Sequence, residues 1–435
     1  MHRICLTLPT NRACAATISA MRAEAQYAAA HFDVDVHLLI LDSSGERDFA
    51  EHAEVAGEAT GTPHVIVHHL DEAEQRSLLR RLISLADVPK PDLLLDLMLP
   101  SEVSYGACTN RAFLIAAALG CESLHRRDSD STYQTLNGVP LFPVHHELVS
   151  LGKRAIDAVD SVSDTHLDPA HAERTVSLVG SSFVGELSVD ISEIQQLDPY
   201  VYHDVVSLWA PRTWSEEARE QLVAEAFKGA GTGLFTHDHS AVGLVDPMRV
   251  DMCNISFHRD VYESVPLPPA TDTIGSDYFL MHLVHDAGLP GVLHNRHIVN
   301  FYTGERRTDA GFMAYQLRLV KFFLSMLYFN SVYERMAEAG DSLLDDRLRL
   351  RADKVAELAR ESSWLDREEN EERLRSLDRS YRKLGGRYAE FADALAERGD
   401  RLLNEAQQDM EDFALLIQAW GPLIRVSREA GIHEH

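Results

Sequence analysis

The sequence predicts an α/β fold: a mixed, mostly parallel sheet with helices on both faces, followed by a helical domain. Three observations carry this expectation. Short apolar runs alternate with amphipathic stretches over the first two thirds of the chain, and strands alternating with helices imply a largely parallel sheet covered on both sides. From about Thr308 apolar residues recur at three and four, Gly and Pro become few, and i,i+4 charge pairs are common, the pattern of antiparallel helices. With 435 residues, 45% of them apolar, the chain exceeds one average domain and has ample material for a core. The boundary is placed after residue 305, giving domains 1–305 and 306–435.

Arg3 to Thr10, RICLTLPT, reads as a buried strand, and Cys14 to Phe32 as the helix that follows it. A second strand, VDVHLLILD, ends at Asp42, and HVIVHHL, His64 to Leu70, is a third. DEAEQRSLLRRLISLA is helical, as is YGACTNRAFLIAAALG, which ends at a Gly120 cap. Gly152 to Glu173, rich in Asp, Ser and His, reads as a partly helical excursion over the surface. Val250 to Tyr302 begins with a strand in which Asn254 and Ser256 alternate with Ile255 and Phe257. It then passes a Pro-rich loop, enters a helix at Ser276-Asp277 that ends at Gly288, and continues as an extended segment. In the tail, Phe312 to Leu327 is apolar on nearly every side, and such a helix is normally buried. The more amphipathic later helices are candidates for pairing with a second subunit as a homodimer.

Composition excludes several classes. A formal charge of −27 argues against sequence-independent binding to nucleic acid or anionic lipid, which needs clustered Lys and Arg. Cys5, Cys14, Cys108, Cys121 and Cys253 are odd in number and never spaced C-x-x-C, as expected of reduced thiols in a cytosol. No stretch approaches the apolar length of a membrane span, and the start lacks the apolar run of a signal peptide, so a soluble, cytoplasmic protein is expected. None of the many histidines has the H-E-x-x-H spacing of zinc chemistry, His237 and His239 in THDHS being the least safely dismissed.

Ligands of such sheets collect at the carboxyl ends of strands, where Thr10, Asp42 and Asp128 all fall. In HRRDSDS, Asp128 and Asp130 share a face of an extended chain and are placed to hold one hard cation. A solvated turn is the alternative, since Asp and Ser are ordinary turn residues. Arg126 and Arg127 suit a phosphate or carboxylate, or equally an edge strand blunted by charge. For Asp277 the alternative is a first-turn acid favoured by the helix dipole.

In combination these parts resemble the large family-two type of glycosyltransferase with the GT-A (Rossmann-like) fold. The resemblance rests on a helix carrying Gly106, Asn110 and Arg111, on the D-x-D, on MCNISFHRDVYESV, and on SDYFLMHLVHDAGLPG followed by a His-bearing strand. It covers roughly residues 1 to 305. It departs from the family where the Glu-Asp pair is Ser276-Asp277, where His282 stands near the usual Arg, and where HRR replaces an apolar strand.

The resemblance implies a metal-dependent transferase that moves a sugar from a nucleotide-diphosphate donor to a small-molecule acceptor, with inversion. It implies Mn2+ or Mg2+ on Asp128, Asp130 and His297, with His294 and Asn300 as the neighbours able to replace the histidine. It places the donor against Thr10, Asn11, Asp42, Asn110, Arg111 and Arg127, and the catalytic base at Asp277. Tyr200, Tyr202, Trp209 and Trp214 fall where such proteins build the acceptor site. The alternatives are the same fold redirected to nucleotidyl or acyl transfer on a small metabolite, or a non-catalytic assembly protein.

Overall fold

In the computed structural model, which describes residues 2–186, 191–301, 304 and 308–431, the chain forms a nine-stranded mixed sheet with a helical region packed on it. Strands β1 (His2–Thr10), β2 (Val34–Asp42), β3 (Val65–Leu70) and β4 (Ser123–Arg127) are parallel in the order β3-β2-β1-β4. Helices α1 (Ala15–His31), α2 (Glu46–Ala56), α3 (Glu72–Ala86), α4 (Pro91–Met98) and α5 (Tyr105–Ala118) connect them. Every residue of β1 from Ile4 to Leu8 is buried, so helices on both faces are required to cover its continuous apolar run.

Beyond β4 antiparallel pairs enter, so the sheet is mixed and mostly parallel, as expected. Strand Asn254–His258 runs antiparallel to both β4 and Leu178–Gly180, and Ser240–Gly243 runs antiparallel to Gly291–His294. The segment expected to lie over the surface contributes the last strand, Asp164–Thr165, at that edge of the sheet, and buries Ala155 and Ala158. A small second sheet joins Phe183–Gly185, Ile298–Asn300 and Ser131–Tyr133. The edge-strand reading of HRR is corrected: β4 lies between β1 and Asn254–His258, and all five of its residues are buried.

The helical region comprises Asp309–Ala339, Ala352–Ser362, Glu368–Leu384 and Gly386–Ala430. Its apolar faces merge with one face of the sheet into a single core that runs from Leu39 and Phe113 to Phe323 and Trp420. The fully buried Trp420 donates its indole N–H to the Tyr262 carbonyl at 2.9 Å. No helix of the described residues is long and apolar enough to cross a membrane.

One buried ion pair ties this region to the Pro-rich loop. Lys321, 1% exposed, donates to the Thr271 carbonyl at 2.7 Å and lies 3.0 Å from the Asp409 carboxylate. Burial pushes the Asp409 pKa up to about 6, and Lys321 only partly offsets it. A carboxyl whose folded pKa exceeds its unfolded value favours the native state most below the unfolded pKa, near 4. That contribution, of about 3 kcal/mol, is lost as pH rises through 6. Unfolding by urea at a series of pH values should therefore show the stability of the wild type relative to Asp409→Asn falling between pH 4 and 6.

Candidate functional site

After β1 the chain crosses to β2 and then β3 on one side, while β4 lies on the other, so the carboxyl ends of β1 and β4 open at the topological switch point. Thr10 ends β1, and the turn carrying Asp128 and Asp130 follows β4. That turn is pinned: Ser131 Oγ donates to the Asp128 carbonyl at 2.8 Å, and Thr17 Oγ1 on α1 donates to the Ser129 carbonyl at 3.2 Å.

Two cavities meet there. The larger, of about 810 Å³, is lined by Thr10, Asn11, Arg12, Ser43, Asp48, Arg111 and Arg126 among others. The smaller, of about 380 Å³, is lined by Trp209, Phe227, Phe322, Asp251, Asp277 and Tyr278 among others. Asp128, Asp130, Tyr105 and Tyr315 border both. Tyr315, Phe322 and Tyr333 come from helix Asp309–Ala339, so the helical region forms a wall of the cleft.

The alternation of side chains along β4 sorts the two arginines. Arg127 turns to α1 and helix Val144–Ser150, where it donates to Glu24 at 2.8 and 3.1 Å and to Glu147 at 3.0 Å. Arg126, 2% exposed, turns the other way. Its Nη1 donates to Asp277 Oδ2 at 2.8 Å, and its Nη2 lies 3.1 Å from Asp128 Oδ1. The cationic guanidinium thus bridges the first D-x-D aspartate and the acid on the other cavity. Asp277 sits in a 3₁₀ turn, Ser276–Tyr278, ahead of helix Phe279–Asp286. Burial lifts its pKa above the ordinary carboxylate value, against the pull of Arg126. A simple dipole-stabilised acid would be shifted the other way. Beside it Asp251 accepts from the Tyr278 hydroxyl at 2.5 Å and the Cys253 N–H at 3.2 Å, and burial raises its pKa as well.

Of the expected site residues, Thr10, Asn11, Arg111, Asp128 and Asp130 line the larger cavity and Asp277 the smaller. Arg111 spends its Nε on Gln75 at 2.8 Å and its Nη1 on the Met98 carbonyl at 2.6 Å. Four expectations fail on geometry. Asp42, 1% exposed, accepts from His52 at 2.7 Å, His69 at 2.9 Å and the Ser44 N–H at 2.9 Å. These bonds outweigh burial and hold its pKa below the ordinary range, and the cavity is lined instead by its neighbours Leu41 and Ser43. Asn110, fully buried, is a clamp: its amide donates to the Leu267 carbonyl and accepts from the Leu267 N–H, both at 2.8 Å. Arg127 faces away from the cleft. His297 bonds through Nδ1 to Ser181 Oγ at 2.7 Å and lines neither cavity, whereas Asn300 lines the smaller one with Asp128 and Asp130. His294 is buried and stacked on His146. Of the four aromatic candidates only Trp209 lines the cavity; Tyr202 is core, and Tyr200 and Trp214 are exposed.

Among the described residues, one group of three, Asp42, His52 and His69, brings ligand-type atoms within 4.8 Å of one another. It fits hydrogen bonding better than metal. His52 Nε2 accepts the Cys14 N–H at 2.9 Å, so Nδ1 carries the proton and donates it to Asp42. Asp128 and Asp130 offer the hard oxygens that Mg2+ or Mn2+ prefers, at the border of both cavities, and Asn300 lines the smaller one with them. Sequence reasoning missed Asp48, Arg12 and Asp251; the first two carried no pattern, while Asp251 opens the strand already singled out.

Fold and site together define an α/β protein whose cleft joins a polar and an aromatic cavity across a pair of aspartates. The chain belongs to DUF6271, a family of unknown function, which it matches over residues 2–435. No curated protein matches its sequence. Among solved structures it is similar to glucosyl-3-phosphoglycerate synthase from Mycobacterium tuberculosis in complex with Mn2+, UDP and glucosyl-3-phosphoglycerate. That match has 16% identity, 75% of this chain and 80% of that chain covered, and a TM-score of 0.36. It is similar also to the mannosyltransferase PcManGT from Pyrobaculum calidifontis in complex with GDP-Man and Mn2+, at 12% identity, 99% and 88% coverage and a TM-score of 0.36.

The clamp on the loop ahead of Asp277 makes a measurable demand. α5 approaches that loop so closely that a Cβ on Gly106 would lie 1.9 Å from the Pro268 carbonyl oxygen. Asn110→Ala, which leaves both Leu267 backbone groups buried and unpaired, should cost roughly 2 kcal/mol or more in urea unfolding.

Proposed function

We propose that the protein is a metal-dependent glycosyltransferase that moves a sugar from a nucleotide-diphosphate donor to a small-molecule acceptor, with inversion. The observation that carries this reading is the meeting of two cavities at Asp128 and Asp130, with a buried acid, Asp277, on the far side. The motif order of the sequence supports it.

In this reading the larger cavity takes the nucleotide, with Thr10 and Asn11 beside the base, Ser43 and Asp48 in place of Asp42 near the ribose, and Arg12 and Arg111 toward the diphosphate. Asp128 and Asp130, with Asn300 beside them, would hold a divalent cation, which would offset the negative charge gathering on the leaving diphosphate. The acceptor hydroxyl, in the smaller cavity, attacks the anomeric carbon. The bond from that carbon to the diphosphate oxygen breaks, its electron pair leaves with the nucleoside diphosphate, and the hydroxyl proton passes to the Asp277 carboxylate. A raised pKa makes Asp277 a better base than an ordinary aspartate, and the Arg126 guanidinium beside it favours its charged form. Displacement between a donor on one side and a base on the other inverts the anomeric centre.

Two measurements test the reading. Calorimetric titration with UDP and GDP should show binding that needs Mn2+ or Mg2+, and Asp130→Ala should abolish it while thermal unfolding stays cooperative; undiminished binding in that variant would sink the metal assignment. Asp277→Asn should lower kcat roughly 100-fold or more with donor affinity kept, the usual worth of a general base. Near wild-type turnover would move the base elsewhere, to Asp272 in the same loop, or remove the reading.

A further inference from the structure

We propose that the smaller cavity takes an acceptor built on a flat apolar ring that carries an amine and no negative charge. This rests on reading the cavity as the acceptor side of the transfer. Trp209, Phe227 and Phe322 line it as one aromatic cluster: Trp209 is tilted 34° to Phe227 at 5.1 Å between centroids, and Phe322 stands edge-on to both, at 80° and 5.1 Å to Trp209 and 68° and 6.1 Å to Phe227, so that planar faces form a corner. The surface is fixed from the loop that carries Asp277. Gly275, at φ +74°, sits so close that a Cβ there would lie 2.8 Å from the Phe322 ring. A rigid face of this kind favours a planar apolar partner, because little side-chain freedom is lost on binding.

The polar groups sharing the cavity select charge. Asp251 and Asp277 lie within it and Asp128 and Asp130 at its border, so carboxylates dominate its ionisable groups. Among the described residues, its cationic lining is confined to Lys228 and Arg249, both exposed and both engaged. Lys228 donates to the Ala224 carbonyl at 2.5 Å, and Arg249 lies 3.5 Å from the Glu225 carboxylate. The imidazole of His282, stacked on Tyr333 with centroids 3.9 Å apart, is neutral, since burial and then His285 hold its pKa down to about 3. Arg126 offsets Asp277 and Asp128 and Arg12 lies 3.3 Å from Asp130, so the acid without a cationic partner among the described residues is Asp251, and a phosphorylated or carboxylated acceptor brought beside it would be opposed by like charge with no cation in the cavity interior to offset it. An ammonium group would be paired by Asp251, whose raised pKa falls back as the cation arrives.

Two probes with the same phenol ring separate the charges: tyramine and 3-(4-hydroxyphenyl)propionate, each titrated calorimetrically into the full chain. Tyramine should bind at least about tenfold more tightly. Equal affinity, preference for the acid, or no binding by either overturns the proposal. Trp209→Ala should weaken tyramine, and Asp251→Asn should narrow the gap between the probes, both in protein that unfolds cooperatively near the wild-type temperature. An unchanged tyramine affinity in the tryptophan variant overturns the ring assignment, and the asparagine variant reads the charge assignment even where the first fails to fold. Titration with Mn2+ and UDP or GDP alone reads the donor side separately. Loss of that binding with the tyramine preference intact would remove the transferase reading and leave the ligand class standing.

Discussion

The guanidinium of Arg126 is the interaction on which the cleft depends. An arginine at the centre of a nine-stranded sheet is expensive to bury unless its charge is matched, and it is matched by Asp277 and Asp128 together. The match fixes more than charge. Asp277 belongs to a loop and turn more than a hundred residues along the chain, and Asp128 to the turn that separates the cavities, so one side chain sets the spacing between them. Removal of either acid would leave a buried cation partly unpaired, which is why the Pro-rich loop has to return to the sheet. The Asn110 clamp, the missing Cβ at Gly106 and the Lys321 bond to Thr271 hold it there.

The helical region is a structural part of this arrangement. Helix Asp309–Ala339 presents Tyr315 and Arg318 to the larger cavity and Phe322, Met326 and Tyr333 to the smaller, with Lys321 between them reaching the loop. Its apolar circumference, visible from the sequence, has two physical causes. One side meets the core shared with Trp420 and Phe413, and another walls the cleft. A periodicity pattern reports that a face is covered, and says nothing of whether protein or ligand covers it.

The strands β1 to β3, α1, α3 and α5 were legible because each is long, apolar in period and bounded by turn chemistry. Beyond β4, Asn254–His258 and the extended segment after Gly288 were legible too, whereas Leu178–Gly180 and Ser240–Gly243 were not, since strands of three or four residues offer too few positions for a period to emerge. At the site, the D-x-D and Asp277 were legible as carboxylates at element ends. Asp42 met the same rule and is nevertheless internal, because His52 and His69, from a helix and a strand that only the fold brings together, take up its oxygens. Asn110 and Arg127 failed likewise: a buried polar side chain and a ligand-binding one look alike until their partners are known. HRR misled in the opposite sense, since charge suggested an edge where the structure buries both arginines against acids from distant segments.

The departure at Ser276 has a physical counterpart. Where the resembled family carries Glu-Asp in sequence, this chain has a serine that is 1% exposed and whose hydroxyl has no hydrogen-bond partner among the described residues. A glutamate there would place a further negative charge beside Asp277 in a region whose cation, Arg126, is already divided between two carboxylates. The second acid near Asp277 comes from Asp251, at the mouth of strand Asn254–His258, and it is the Tyr278 hydroxyl, two residues after Ser276, that holds it. Burial raises the proton affinity of both carboxylates, with Asp128 adding to it in each case, yet only Asp277 is tied to Arg126. Asp277 therefore has a cationic partner that Asp251 lacks among the described residues.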